Sequence, residues 1–262
     1  MGKIYIGTSG YSYKDWIGPV YPIDSIPGDF LSVYSTLFNF VELNFSYYTQ
    51  PKKQIIQRMV DNTVNNKRDN FLFSIKAHKT LTHNITDKTD KELDVFLSGI
   101  EPLISSSRLG AVLMQFPYSF HYNDGTRKHL DTVCRYFENL PLAVEFRNDE
   151  WNKESVLAEF RKRNICIVNV DEPDLPRLPK PDEAVTADLG YIRFHGRNKE
   201  NWWKGTNTTR YDYLYSEDEL KEWVLKIKNM VKKVKILIIA FNNHYKGQAV
   251  KNAKDLTGLL EE

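Results

Sequence analysis

The segment Ala143-Val144-Glu145-Phe146-Arg147-Asn148 decides the fold, because it combines a buried strand with charged residues at the strand's end. Its apolar residues are typical of a β-strand. Glu145 and Arg147 are two positions apart, and side chains alternate along a strand, so both face the same side near its carboxyl end. A strand of this kind indicates a sheet whose carboxyl edge carries polar groups.

Seven other segments repeat this arrangement, and most are followed by residues with helical spacing. The alternation predicts an α/β protein. Eight such units fit a single (β/α)₈ TIM-type barrel, in which strands covered on both faces read as continuous apolar runs. We expect one domain over residues 1–262, with strands at 4–10, 40–45, 71–76, 111–116, 143–148, 165–170, 190–195 and 236–241.

The connections support a barrel over an open sheet. Ser216 and Glu219 form a capping-box pattern at the start of an amphipathic helix. After strand six, four prolines within residues 173–181 predict an irregular connection instead of a helix. A doubly wound sheet, the main alternative, normally has a glycine-rich phosphate turn after strand one, and Gly7-Thr8-Ser9-Gly10 does not match that pattern.

Composition limits the function classes. The chain has 262 residues, 41% hydrophobic and 27% charged, with a formal net charge of +2. This near balance disfavours binding to nucleic acid, although a local basic patch is compatible with it. Cys134 and Cys166 lack a metal or redox spacing and are interpreted as core thiols. There is no signal-peptide pattern and no apolar run near the ~20 residues of a membrane span, so we expect a soluble cytoplasmic protein that does not bind membranes.

Polar residues recur two apart at the predicted strand ends. A charge pressed under an apolar helix would lose its hydration, so the barrel interior is the better location for them. Active sites of this fold lie at the carboxyl ends of the strands. The set comprises Glu42 with Asn44, Ser74 with Lys76, Gln115, Glu145 with Arg147, Asn169 with Asp171, Arg193 with His195, and Asn242 or Asn243.

Roles follow from residue type. We predict Glu145, Glu42 and His195 as catalytic acid/base residues. Lys76 could form a Schiff base if desolvated, but a fixed cation for an anionic substrate is the favoured interpretation. The predicted substrate-binding residues are Asn44, Lys76, Gln115, Arg147, Asn169, Asp171, Arg193, Asn242 and Trp202. A structural role, such as a strand-end ion pair or a hydrogen-bonded histidine, is the alternative for each.

Two further features leave alternatives open. The six histidines are scattered and no H-x-x-x-H pair occurs, so no metal site or cofactor is predicted, with a divalent metal kept as an alternative. The aromatic segment from Trp202 to Tyr215 could form a lid that stacks on a sugar or base, or could close a small core of its own.

The ordered motifs resemble the YecE-like family, a domain of unknown function with a TIM-barrel fold. The resemblance covers nearly the whole chain and implies a cleft lined by these strand ends, but it implies no reaction. Tyr11 departs from the tryptophan expected there. The motifs are Gly7-Thr8-Ser9-Gly10-Tyr11, residues 41–48, Phe73-Ser74-Ile75-Lys76-Ala77, Gln115-Phe116-Pro117, residues 144–148, residues 191–196 and Asn242-Asn243-His244.

The favoured hypothesis is an enzyme, a hydrolase or a lyase/isomerase, that uses acid/base chemistry on a small polar substrate, anionic or sugar-like. A retaining sugar hydrolase is disfavoured, since related barrels carry their acids on strands four and seven, which here end in Gln115 and Arg193. The alternatives are a metal-dependent barrel nuclease or sugar isomerase, and a non-catalytic module that binds a nucleotide or single-stranded nucleic acid.

Overall fold

The computed structural model describes residues 2–64, 70–86 and 88–262 and shows the predicted barrel. Eight strands pair in parallel and in chain order, and β1 pairs with β8 to close the sheet. The α/β fold class and the barrel are thus confirmed. The strands are β1 (Lys3–Ser9), β2 (Phe40–Leu43), β3 (Leu72–Lys76), β4 (Leu109–Gln115), β5 (Leu142–Glu145), β6 (Cys166–Asp171), β7 (Leu189–Phe194) and β8 (Ile236–Phe241).

Helices connect the strands and surround the barrel. Two four-residue helices, Lys79–Thr82 and Asn207–Arg210, lie in the loops that follow β3 and β7. No helix in the described part of the chain is long and apolar enough to cross a membrane. The helices are α1 (Phe30–Leu37), α2 (Lys53–Val64), α3 (Lys79–Thr82), α4 (Thr89–Ser105), α5 (Asp124–Tyr136), α6 (Glu154–Lys162), α7 (Asn207–Arg210), α8 (Glu217–Met230) and α9 (Gln248–Glu261).

The two connection predictions are confirmed. The Ser216 hydroxyl accepts a hydrogen bond from the Glu219 amide while the Glu219 carboxylate accepts one from the Ser216 amide, which forms the capping box of α8. Residues 172–188, all of which are described, form turns and extended segments without a helix between β6 and β7. This irregular chain crosses outside the barrel and leaves the mouth accessible.

Alternation along the strands divides the barrel into two apolar layers. One cluster fills the interior below the mouth and the larger one packs between the strands and the helices. Alternate residues of each strand point into the barrel. The apolar interior residues therefore identify which polar residue at the end of the same strand also points inward, at the mouth. The interior cluster consists of Tyr5, Phe40, Leu72, Ala111, Leu113, Ala143, Cys166, Val168, Val170, Leu189, Tyr191, Ile238 and Ala240.

Candidate active site at the barrel mouth

Arg193 is the centre of a buried ionic network directly above the apolar interior. Its Nε donates to Glu42 Oε2 at 2.9 Å and its Nη2 to Glu42 Oε1 at 2.6 Å, so the two groups form a bidentate pair. Its Nη1 donates to Glu145 Oε2 at 2.6 Å. Tyr191 and Ser9 also donate to Glu42. One guanidinium therefore joins the carboxylates of β2 and β5 across the barrel.

Glu145 continues the network toward the mouth. Its Oε1 accepts from Arg147 Nε at 2.5 Å and lies 3.2 Å from His195 Nε2. Asn242 Nδ2 lies 3.1 Å from His195 Nδ1, and Arg147 Nη2 lies 3.0 Å from His195 Nε2. Arg147 Nη1 donates to Glu172 Oε2 at 3.1 Å. Both oxygens of Glu145 are thus engaged by cations or by histidine.

These contacts fix the protonation states. Burial alone would raise the pKa of Glu145, but Arg193, Arg147 and His195 hold it well below its usual range. Burial and Arg147 lower the pKa of His195 well below its usual value, so the ring is neutral. Burial raises the pKa of Glu172 to about 8 against the opposing effect of Arg147, with Glu145 adding to the rise. Glu172 is therefore a protonated acid at neutral pH.

An open cavity of about 690 Å³ lies above this network. Lys76, Arg147, Arg193 and Arg210 contribute to its wall, and no carboxylate is among its described lining residues. Tyrosines and amides form much of the remaining surface. The other lining residues are Gly10, Tyr11, Ser12, Tyr13, Leu43, Asn44, Phe45, Tyr47, Tyr48, Met59, His83, Gln115, Tyr211, Asn242 and His244.

Lys76 and Arg210 differ from the other two cations of the cavity. Lys76 Nζ donates to Gln115 Oε1 at 2.7 Å and lies 4.5 Å from the centre of the Tyr47 ring. Arg210 stacks over Trp202, and its buried Nε has no hydrogen-bond partner among the described residues. Neither cation forms a salt bridge with a carboxylate of the described chain. Two positive charges at the wall are thus not neutralised locally.

Most of the predicted site residues come together at the mouth. Asn44 Nδ2 donates to Ser9 at 2.7 Å, whereas its buried Oδ1 has no partner in the described part of the chain. Asn242, not Asn243, faces the cavity, since the Asn243 amide bonds Tyr213 and Asn252 outside it. The residues brought together are Glu42, Asn44, Lys76, Gln115, Glu145, Arg147, Arg193, His195 and Asn242.

The prediction that Asn169 and Asp171 face the mouth is wrong. The alternation Cys166, Val168, Val170 fills the interior, so the two polar residues of β6 point outward. Asn169 exchanges two 2.9 Å hydrogen bonds with the backbone of Ala184, which lies in the irregular connection. Its amide therefore anchors that connection to the barrel.

Asp171 is buried under α8 at no loss of hydrogen bonding. Its carboxylate accepts from Trp223 Nε1 at 2.7 Å, from the Tyr215 hydroxyl at 2.7 Å and from two nitrogens of Arg197. The expectation that a charge would avoid the helix side assumed an apolar helix. Here α8 and the loop before it supply the donors that replace water.

Trp202 does not line the cavity. It is buried, and the guanidinium of Arg147 lies 5.5 Å from the centre of its ring. The indole ring of Trp202 therefore packs against the guanidinium of Arg147. Tyr211 of the same aromatic segment does reach the cavity and also contacts His195. The segment thus combines both interpretations that the sequence left open, a packed core and a cavity wall.

Glu172, Arg210 and Tyr13 lie at or next to the site and were not predicted from the sequence. Glu172 follows Asp171 directly, and adjacent residues at a strand end face opposite sides. The parity of the apolar residues in β6 could have identified Glu172 as the inward carboxyl. Arg210 and Tyr211 come from a long loop whose path has no simple sequence signal.

The described residues offer little for a metal ion. They contain no group of three or more histidine, cysteine or acidic side chains arranged to hold one. The carboxylates nearest the mouth, Glu42 and Glu145, already bind arginine. A donor set already paired with cations fits a metal poorly.

Comparison with known proteins identifies the family. A family model described as "Protein of unknown function DUF72" matches residues 5–262. The chain belongs to the DUF72 family. This DUF72 protein is 31% identical over 275 residues to UPF0759 protein YunF of Bacillus subtilis, covering 98% of the chain and 95% of that protein. It is 28% identical over 192 residues to UPF0759 protein YecE of Escherichia coli, covering 70% of the chain and 64% of that protein. The predicted resemblance is confirmed.

Solved structures agree. A DUF72 family protein from Thermotoga maritima is 38% identical, with a TM-score of 0.88 and coverage of 99% of both chains. One from Enterococcus faecalis is 26% identical, with a TM-score of 0.84 and coverage of 99% of this chain and 96% of that one. A D-psicose 3-epimerase shares 10% identity and a TM-score of 0.53, covers 90% of this chain and 94% of that one, and shows the fold alone.

Proposed function

We propose that this DUF72 protein is an enzyme that uses acid/base chemistry on a small anionic, sugar-like substrate held in the mouth of the barrel. The observation that carries the proposal is the charge on the cavity wall. Lys76 and Arg210 have no carboxylate partner among the described residues, and no described lining residue is acidic. A substrate phosphate or carboxylate would supply the missing negative charge.

Two groups that can transfer a proton lie at or near this wall. Lys76 lines the cavity, and Glu172 is buried and bonds Arg147. The pKa of Glu172 is raised to about 8, mainly by burial, and burial together with Arg193 lowers the pKa of Lys76 to about 7. Groups that titrate near the working pH are the most effective general acids and bases. Glu145 was predicted to be catalytic. Because Arg147 and Arg193 hold it in the ionised form, we propose that its role is to orient these two arginines.

Within the enzyme classes, a lyase or isomerase fits better than a hydrolase. Sugar hydrolysis commonly uses two carboxyl groups that flank the substrate. Here Glu42 and Glu145 lie under the cavity and bind Arg193, and neither lines the wall. The tyrosines and amides around the cations suit a polyhydroxylated substrate, since aromatic faces stack on sugars and amides bond hydroxyls.

Calorimetric titration with glucose, gluconate and glucose 6-phosphate tests substrate charge. We expect glucose 6-phosphate to bind more tightly than glucose, by about tenfold or more, because charge-assisted hydrogen bonds to Arg210 and Arg147 form only with the anion. Arg210→Gln should remove most of that preference, and the matched change Arg161→Gln on exposed α6 should leave it intact. Equal affinity for glucose and glucose 6-phosphate would contradict the proposal.

Turnover is tested by proton exchange. The protein is incubated in D₂O with a panel of sugar phosphates and sugar acids, and NMR follows deuterium at the carbons next to the carbonyl. Acid/base catalysis predicts deuterium incorporation that depends on the presence of the protein. Tight binding of anions without exchange in any member of the panel would favour the non-catalytic binding module.

A further inference from the structure

We propose that Lys76 is the nucleophile of this site and that its amine forms a Schiff base with the carbonyl carbon of an anionic aldehyde or ketone. The inference rests on the proposed function, because the same cavity must hold the anionic end of the substrate. It replaces the fixed-cation role that the sequence favoured for Lys76.

The first support is the position of the amine. Lys76 ends β3, and its Nζ lies at the cavity wall between the amide of Gln115 and the face of Tyr47. A lysine that serves as a permanent cation inside a protein is usually paired with a carboxylate. Lys76 has instead a neutral amide oxygen as its acceptor, to which either an ammonium or a neutral amine can donate.

Gln115 is held in the orientation that this requires. Its Nε2 donates to the carbonyl oxygen of Phe116 at 2.7 Å, which leaves Oε1 turned toward Lys76. The acceptor is thus fixed as an oxygen. Rotation of the amide would break the bond to Phe116 and present two donor hydrogens to the amine. The hydrogen bond holds Nζ at the wall without adding negative charge.

The charges around Lys76 favour the neutral amine. Burial is the largest influence and lowers its pKa to about 7, and Arg193 and Arg147 act in the same direction. Glu145 and Glu42 oppose them but are already paired with the two arginines. An ordinary lysine with a pKa of ~10.4 is neutral in only about one molecule in 2,500 at pH 7. The corresponding fraction for Lys76 is about one half.

His83 is a titratable side chain that lines the same cavity as Lys76. Burial and the charges of Lys76 and Arg147 lower its pKa to about 4, so it is neutral at pH 7 and adds no charge beside the amine. Tyr47 contributes a ring face and no formal charge. His83 therefore does not contribute to a change in labelling near pH 7.

The chemical step is balanced by water and one proton. The Nζ lone pair attacks the carbonyl carbon, and the C=O π electrons move to oxygen, which takes up a proton. Nitrogen loses one proton, the C–O bond breaks, and the hydroxyl leaves as water after a second protonation. The product is a C=N iminium that retains one hydrogen on nitrogen. One proton is consumed overall and comes from solvent at the open mouth.

The Schiff base would make acid/base chemistry effective at the next carbon. A protonated imine withdraws electrons more strongly than the parent carbonyl, so a proton or a carbon–carbon bond at the adjacent carbon is more easily broken. The positive charge of the iminium replaces the ammonium charge of Lys76. Arg210 and Arg147 would meanwhile hold the anionic group of the substrate.

Reductive labelling tests the proposal. The probe is pyridoxal 5′-phosphate, used as an anionic aldehyde and not as a cofactor, followed by borohydride and peptide mass mapping. We expect Lys76 to be labelled at least tenfold faster than Lys79, which lies three residues along the chain outside the cavity. Inorganic phosphate should protect Lys76, and half-maximal labelling should occur near pH 7.

Two variants separate a nucleophile from a fixed cation. Lys76→Arg keeps the positive charge but removes the amine, so it should lose the fast label while glucose 6-phosphate still binds. Gln115→Glu places a carboxylate beside the amine and should move half-maximal labelling upward by about one pH unit or more. Labelling of Lys76 no faster than that of Lys79, with phosphate binding intact, would overturn the Schiff base and leave the anion site standing.

Discussion

Glu145 shows how a single buried carboxylate can organise a group of cationic side chains. Its two oxygens bind Arg193, Arg147 and His195, and its side chain has no exposure to solvent. Breaking a buried ion pair leaves the remaining charge unpaired, which costs more than the pair itself contributes. At the residue scale, Glu145 therefore matters first for where the two guanidinium groups lie.

Replacing Glu145 with glutamine should abolish any activity of the protein and destabilise it. The amide can pair with only part of the network, so we expect a loss of about 3–5 kcal/mol in the free energy of unfolding. Urea denaturation followed by tryptophan fluorescence measures it. Glu154→Gln, at an exposed pair with Arg161 on α6, is the matched control and should cost less than about 1 kcal/mol. Full activity in Glu145→Gln would sink the assignment of Glu145 to the site.

Glu172 should make the stability of the protein fall with rising pH. Its pKa is raised to about 8 in the folded protein, against ~4.3 in an unfolded chain. Between these values the folded state holds a proton that the unfolded state has lost, so the contribution of Glu172 to stability is full below about pH 4 and is lost as the pH rises to about 8. Glu172→Gln, which retains an acceptor for Arg147, removes this decline.

The measurement is urea denaturation of wild type and Glu172→Gln at pH 5, 7 and 8.5. The stability of Glu172→Gln relative to wild type should rise steadily across that range. A constant difference between the two proteins would show that Glu172 ionises normally in the fold.

At the scale of the element, β6 shows where sequence patterns succeed and where they fail. The apolar run predicts the strand to within a residue or two, because a barrel strand is covered on both faces. Because both faces of such a strand are apolar, the sequence does not show which face points into the barrel. Asn169 and Asp171 were therefore assigned to the wrong side. The donors that bind the Asp171 carboxylate come from α8 and its preceding loop, about 25 to 50 residues later in the chain.

Asp171 should therefore be needed for the fold and not for the chemistry. Asp171→Ala removes the carboxylate that accepts from Arg197, the Tyr215 hydroxyl and Trp223 Nε1, and we expect a loss of about 3–5 kcal/mol in the free energy of unfolding. Asp188→Ala, which breaks an exposed pair with Lys235, is the matched control and should cost under about 1 kcal/mol. Folded Asp171→Ala should still bind glucose 6-phosphate, and loss of that binding would place Asp171 in the site after all.

At the scale of the whole molecule, the barrel and most of its mouth could be predicted from the sequence. The hydrophobic period, the segment lengths and the placement of glycine and proline specify eight strands. The alternation of side chains correctly brings together predicted residues from six of these strands. Long-range packing could not be predicted. Arg210 and Tyr211 line the cavity because of the path of their loop. Trp202, in the same loop, packs against Arg147 and does not line the cavity.

The charge distribution of the whole molecule leads to a last prediction. A net charge of +2 gives a weak overall field, so anion binding must come from the cavity. Sulfate keeps its charge between pH 6 and 8, whereas Lys76 with a pKa of about 7 loses its own over that range. Sulfate affinity should therefore fall by about tenfold, as expected for the loss of one nearby charge in a partly buried site.

Isothermal titration of sulfate at constant ionic strength measures this fall, and Lys76→Arg is the control. Arginine stays charged throughout, so only the smaller effect of Glu172, whose pKa is about 8, should remain in that variant. His83, whose pKa is about 4, and His195, whose pKa is lower than usual, do not titrate in this range, and His244 on the cavity wall is the same in both proteins, so any effect it has appears equally in each. A fall of equal size in Lys76→Arg would show that a group other than Lys76 titrates. It would then contradict the assignment of Lys76 as the nucleophile.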